Sequence, residues 1–369
     1  MSLTNAYLAE PAFPILASSL ISEPFPGEAK RASGKVVNNA SPRGDSHPSR
    51  EWSLKHDIKN GIGSDKDSVF RCGTITGFSR LREGNADEDK GRVCELPRYL
   101  LSTHLRRTSP NHPSEPRAFI IRSPTSSAFS PETLLGSLLS CHDEPHLSRE
   151  EAVELLDSVQ ILSVLDFTHV IQAISNVSDA LNRIQQQRHQ LRENHGQVSS
   201  SDNCNSPVLL IIEGIDTMAD GLIRTSSPLR GTALLVPVLR TLTYLSRTYA
   251  SFLSVMLVNT NTLGSIYPNR SVNPSSRSSG QGQQFNVGDG DGDRNEGIHS
   301  VFLHRATSTT LLPTILSRSL DQGIDTHLLL SKVNGRNVVE VVKDRVGSGV
   351  GRWCVWDRGT WEALAAPLD

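Results

Sequence analysis

Aromatic residues make up only 5% of the 369 positions, and apolar residues together reach 37%. Such fractions exclude a chain packed from end to end, because too little apolar side chain is present to offset the entropy of ordering every residue. Charge of one sign is also missing. Lys and Arg number 37 against 39 Asp and Glu, a formal net charge of −2, so any contact with a polyanion has to be local. Cysteine is sparse: Cys72, Cys94, Cys141, Cys204 and Cys354 lie far apart and form no C-x-x-C pair. That spacing argues against a zinc knuckle and a secreted disulfide framework, and makes a reducing compartment the default. No apolar run approaches the ~20 residues of a membrane-spanning helix, and the patch Phe13–Ala17 lacks the basic flank and sustained apolar stretch of a signal peptide. Three catalytic signatures are absent too: the G-x-S-x-G elbow, H-E-x-x-H, and G-x-G-x-x-G after a strand.

What the chain does have is organised around residues 207–261. Val208 to Ile212 is a continuous apolar run that ends in Glu213, Gly214 and Asp216. Phe252 to Val258 is a second run, ending in Asn259, Thr260 and Asn261. Between them Leu234, Leu235, Val238, Leu239, Leu242 and Leu245 recur at helical spacing. Two short apolar runs joined by a helix predict a βαβ unit of a buried parallel sheet, with polar residues at the strand ends where such sheets bind ligands. Glu213 and Asp216 then read either as metal-proximal carboxylates or as strand-end and capping groups, and Asn261 as a strand terminator or a sensor.

Further elements follow from local signals. Residues 1–68 are rich in Ser, Pro, Asn and Gly and are expected to be a disordered tail, with order beginning near Val69. A short strand is expected around Cys72–Phe78, a helix from Val93 to Leu105, and a strand at Ala118–Ile121. Ser130 followed by Pro131 predicts a capped helix start, and Ser148-Arg149-Glu150-Glu151 predicts a capping box. A strand at Val159–Val164 leads to a long helix capped by Asp166 and fading near Gln185. Residues 263–297 form a polar insertion expected to be a disordered loop; its Asp289–Asp293 run fails as a calcium loop because Arg294 and Ser300 stand where the turn Gly and the closing Glu belong. Asn334-Gly335 between two β-prone runs predicts a hairpin. The core should span 69–357, with 358–369 a C-terminal tail. Near its start, Gly77 and Gly84 follow a strand, yet Asn85 and Ala86 come next and Lys90 is followed by Gly91, so G-x-x-x-x-G-K-[ST] is not met.

Taken together, the order of these pieces resembles the RecA-like recombinase superfamily, and within it the eukaryotic recombinase paralogues of homologous recombination. Gly73–Gly77 resembles the strand entering the Walker A loop, Leu209–Glu213 the Walker B strand, and Val255–Asn261 the strand ending in a Thr-Asn signature. Ala118–Ile121 with Phe129–Glu132, and Val164–Phe167, resemble the elements between. The resemblance covers roughly residues 72–357. It implies an α/β RecA-like P-loop NTPase fold, a mostly parallel sheet flanked by helices with a C-terminal β-hairpin extension. It also implies a degenerate nucleotide site at Gly77, Gly84, Glu213 and Asn261, with Glu213 the carboxylate nearest a metal, and DNA contacts through Arg224, Arg270 and Arg277.

The departures from the family matter for function. Neither the Walker A lysine nor its magnesium-binding hydroxyl is matched, Glu213 replaces Asp, and Thr262 stands where active recombinases carry Gln. The second DNA loop would set three arginines against four carboxylates, the wrong balance for neutralising phosphates. ATP and Mg²⁺ are the ligands of an intact family site; no catalytic residue and no certain cofactor is assigned here. The resemblance with its departures implies a pseudo-ATPase paralogue that acts in DNA repair in the nucleus by assembling with other RecA-like subunits, meeting DNA through the complex and no membrane. The alternative is a DNA-dependent ATPase paralogue that still binds ATP and DNA.

Overall fold

Strand β4, Val208–Glu213, is buried at every position, as a run of six residues without a solvent face must be. It pairs in parallel with β2 (Ala118–Arg122) on one side and β5 (Leu253–Leu263) on the other. The computed structural model describes residues 54–63, 68–81, 91–107, 115–140, 146–194, 206–263, 298, 300–302, 311–312 and 314–356. Adding β1 (Ile75–Leu81), β3 (Val159–Ser163), β6 (Thr326–Val333), β7 (Arg336–Asp344) and β8 (Trp353–Val355) gives one eight-stranded sheet in the order β3-β2-β4-β5-β1-β6-β7-β8. The first six strands in that order are parallel, and β7 and β8 extend the sheet antiparallel. This is the mostly parallel sheet with a C-terminal hairpin extension that the sequence implies. Asn334 and Gly335 turn the hairpin at φ 50° and 81°, both in the left-handed region that Asn and Gly tolerate.

Helices cover both faces, and alternate strand residues feed alternate cores. Leu210, Ile212, Val255 and Leu257 pack with α5 (Phe167–Asn194), α6 (Ile215–Thr225), α7 (Pro228–Thr248) and α8 (Ile315–Gln322). Leu209, Ile211, Met256 and Val258 pack on the opposite side with α1 (Leu54–Asn60), α2 (Glu95–Arg107), α3 (Pro131–Leu139) and α4 (Arg149–Leu156). The caps are those expected. Ser130 accepts the Thr133 N–H with Pro131 in the first turn, Ser148 and Glu151 close a reciprocal capping box, and Asp166 accepts the Thr168 and His169 N–H groups.

Four expectations need correction. The ordered region starts before Val69: Leu54 and Ile58, one helical turn apart on α1, are buried in the second core. Helix α5 runs past Gln185 to Asn194, because its polar extension contains good helix formers and no Gly or Pro. The family's first DNA-binding loop would fall at about Asp220 to Ser227, but Asp220 to Thr225 belong to α6. Gly77 lies inside β1, paired with Leu257 and His327, and a Cβ there would stand 2.4 Å from Ile324 Cδ1. It is a packing glycine that lets the turn before β6 sit on the sheet, and it is not part of a loop. Residues 1–53 and 64–67 of the expected tail 1–68, most of the insertion and the tail 358–369 lie outside the described residues.

Two outcomes follow. Gly77→Ala should cost about 1–3 kcal/mol in urea unfolding, the range for overpacking, and Ile324→Val should recover part of that loss. His104, on α2, is fully buried, and burial lowers its pKa from 6.5 to about 4 despite backbone hydrogen bonding. The unfolded chain therefore takes up this proton first, so stability should fall as pH drops from about 6.5 to about 4, by roughly 3 kcal/mol in all. His104→Gln should flatten the curve of unfolding midpoint against pH in that window.

Candidate functional site

The carboxyl edge of the sheet collects the polar residues that the two buried faces exclude. Glu213 ends β4 and is only 4% exposed. Its Oε1 accepts the Ser126 hydroxyl at 2.5 Å, from the loop after β2, and the Cys94 thiol at 3.6 Å, from the 3₁₀ turn Arg92–Cys94 that leads into α2. Its buried Oε2 has no hydrogen-bond partner among the described residues. Burial, and then the adjoining Glu213 carboxylate, push the Cys94 thiol well up, so it stays protonated and donates. Glu213 thus fastens three segments that converge on one strand end.

In a phosphate-binding loop the triplet Gly-Lys-Ser/Thr stands where loop becomes helix. Here that junction carries Gly91, Arg92 and Val93. Val93 is a buried core residue with no hydroxyl to place on magnesium, and Arg92 lines a cleft with Arg80, Glu95, Lys332 and Trp356. A guanidinium at the lysine's place can meet a phosphate, but the set does not fit a magnesium–nucleotide centre. The hydroxyl is missing, and the strand-end carboxylate already receives Ser126 and Cys94. Sequence reading overlooked Arg92; the helix start at residue 92 is the signal that would have found it.

A second carboxylate stands one turn on. Gly214, at φ 74°, turns β4 into α6 and brings Asp216 against the end of β5. Asp216 accepts the Thr260 N–H at 3.0 Å, the Asn261 N–H at 2.5 Å and the Thr260 hydroxyl at 3.3 Å. Burial raises its carboxyl, against the pull of these donors. The Asn261 backbone is therefore committed to Asp216, while its side chain is exposed. Arg224, exposed on α6, pairs with Asp220 at 2.8 Å. Asn261 and Arg224 share the lining of a cavity of about 280 Å³ between α6, the end of β5, α8 and β6.

Under that cavity runs a polar chain. His327 Nε2 meets Ser79 Oγ at 2.8 Å and its Nδ1 meets Asp321 Oδ1 at 2.9 Å; Lys343 reaches Asp321 Oδ2 at 2.7 Å. Burial raises the Asp321 carboxyl, but the hydrogen bonds and charges of His327 and Lys343 outweigh it and hold the group below the usual carboxylate range. The distances are those of a Ser-His-Asp triad. Ser79 has no exposed surface, however, and its oxygen also accepts Asn259 Nδ2 at 2.8 Å. No substrate carbonyl can reach it, so the chain is a structural link between β1, β5 and β6. Ser79 is therefore not placed to act as a hydrolytic nucleophile.

Of the residues singled out from sequence, Asn261 and Arg224 meet at one cavity, Glu213 stands in its own cluster with Ser126 and Cys94, and Gly77 is internal to β1. Gly84, Arg270 and Arg277 lie outside the described residues. No group of three or more His, Cys, Asp or Glu side chains among the described residues is arranged to hold a metal ion.

The architecture defines an α/β protein: six parallel strands extended by an antiparallel hairpin and a last short strand, helices on both faces, and polar groups gathered at the carboxyl edge. No family model and no curated protein matches the sequence. Among solved structures the chain is similar to the RadB recombinase, with a TM-score of 0.40 and 13% identity over 77% of this chain and 86% of that one.

The Glu213 cluster makes its own prediction. Ser126→Ala should destabilise the wild-type chain by about 1–3 kcal/mol, because a buried carboxylate oxygen loses its closest donor. In a Glu213→Leu background the same change should cost much less. Equal cost in both backgrounds, by urea unfolding, would show that the two side chains are not coupled.

Proposed function

We propose that the chain is a non-catalytic recombinase paralogue that works in homologous recombination and DNA repair by assembling with other RecA-like subunits in the nucleus. The observation that carries this reading is the state of the strand end at Glu213. The fold retains its carboxylate there, but spends it on Ser126 and Cys94, opposite a helix start where Val93 replaces the magnesium hydroxyl. Phosphoryl transfer depends on electrostatic clamping of the phosphates by cations and a held metal. A core that keeps the sheet and loses the clamp keeps what a partner subunit can dock on, and loses what turnover requires.

Arg92 favours a second reading, a paralogue that still binds ATP and DNA, since a guanidinium can neutralise phosphate without magnesium. The described surface offers this reading little for DNA. Arg224 is already paired with Asp220 on α6, and binding driven by phosphate neutralisation needs several uncommitted cations.

Affinity purification of the tagged full chain from cells after DNA damage tests the proposal. RecA-like recombinase subunits are expected in the purified complex, in amounts that do not change when nucleotide is removed by a hydrolysing enzyme. Recovery of unrelated metabolic proteins without any RecA-like subunit would overturn the assembly role. Loss of the subunits on nucleotide removal would favour the ATP-binding reading instead.

A further inference from the structure

The cavity between α6, the end of β5 and α8 has two unlike walls. One is apolar, made by Leu263, Leu312, Leu316 and Leu320. The other carries acceptors, chiefly Asp216, Asp220, Asn259 and Asp321. Two of the carboxylates have cations beside them: Arg224 pairs with Asp220, and Lys343 with Asp321. Asp216 has none among the described residues. At 2% exposure it rests on neutral donors, the N–H groups of Thr217, Thr260 and Asn261 and the Thr260 hydroxyl. Asn259, 5% exposed, gives its Nδ2 to Ser79, and its buried Oδ1 has no hydrogen-bond partner among the described residues. A buried anion without a counter-charge and a buried acceptor without a donor are each costly. Both costs fall at the same cavity.

We propose that this cavity binds a small organic cation, an alkylammonium or alkylguanidinium whose N–H groups face Asp216 and Asn259 and whose stem lies on the leucine wall. At about 280 Å³ the space is near the lower limit of small-molecule sites, roughly 300 Å³, which admits a short stem and excludes a large ring system. A bare metal ion would leave the leucines unused, and no metal-binding cluster exists among the described residues. An anion would face three carboxylates. A neutral amide could satisfy Asn259 but leaves the Asp216 charge unmet. The site is independent of the Glu213 cluster and of the assembly role.

Titration calorimetry of the full chain with n-butylguanidinium and n-butylammonium, against the neutral isostere n-butylurea, tests the proposal. At least one cation should bind saturably at a single site, and butylurea at least about tenfold more weakly, the factor that marks a real charge preference. Asp216→Asn should weaken the cation by about tenfold or more. Because that change sets an amide against two backbone N–H groups and threatens folding, a second variant, Thr262→Trp, plugs the cavity from the half-buried end of β5 and should abolish binding. The proposal is overturned if neither cation gives saturable heat, if butylurea binds as tightly as the cations, or if Thr262→Trp binds like the wild type.

Discussion

The burial of β4, β5 and β1 on both faces is the constraint from which the rest of the structure follows. A strand with helices above and below has no solvent side, so its residues are mostly apolar and its charged and amide groups gather toward the ends. That is why Glu213, Asp216, Asn259 and Asn261 come together at the carboxyl edge. It also makes partners valuable to the buried ones, since a buried charge or amide without one is destabilising by several kcal/mol at the extreme. Much of the chemistry of this edge is the outcome of that requirement. Glu213 takes a hydroxyl and a thiol, Asp216 takes two backbone N–H groups, and His327 completes a chain from Ser79 to Asp321.

Those pairings bear on function. A carboxylate that is to steer a metal-bound water needs lone pairs turned toward a nucleotide, and a triad serine needs an open approach. Glu213 gives one oxygen to Ser126 and Cys94, and Ser79 has no surface at all. In both places residue types associated with catalysis act as internal fasteners between strand ends and loops. The proposed assembly role is consistent with that: a stiff core, pinned at its edge, is a surface that other subunits can dock on without turnover.

Elements whose cause is local were readable in the sequence. Ser130 with Pro131, the Ser148–Glu151 box and the Asn334–Gly335 turn each depend on neighbouring residues, and each forms as expected. The apolar runs of β4 and β5 likewise announced strands buried on both sides. What escaped was decided by contacts distant along the chain. Glu213 meets Ser126 and Cys94 across 87 and 119 residues, and no spacing rule links them. Gly77 read as a loop glycine because a glycine after a β-prone run suggests a turn; its actual reason is Ile324, which arrives only when the turn before β6 folds onto the sheet. Leu54 and Ile58 sat in a polar segment whose composition outweighed two apolar residues, yet one helical turn is enough to bury both. Arg224 looked like a loop base and is a helix residue held by Asp220.

The proposed function requires that this core does not turn over ATP. Single-turnover ATP hydrolysis by the purified full chain, with and without single-stranded DNA and magnesium, addresses it most directly. The account predicts no phosphate release above the buffer rate and no change with Glu213→Gln. Saturable hydrolysis that Glu213→Gln abolishes would contradict it.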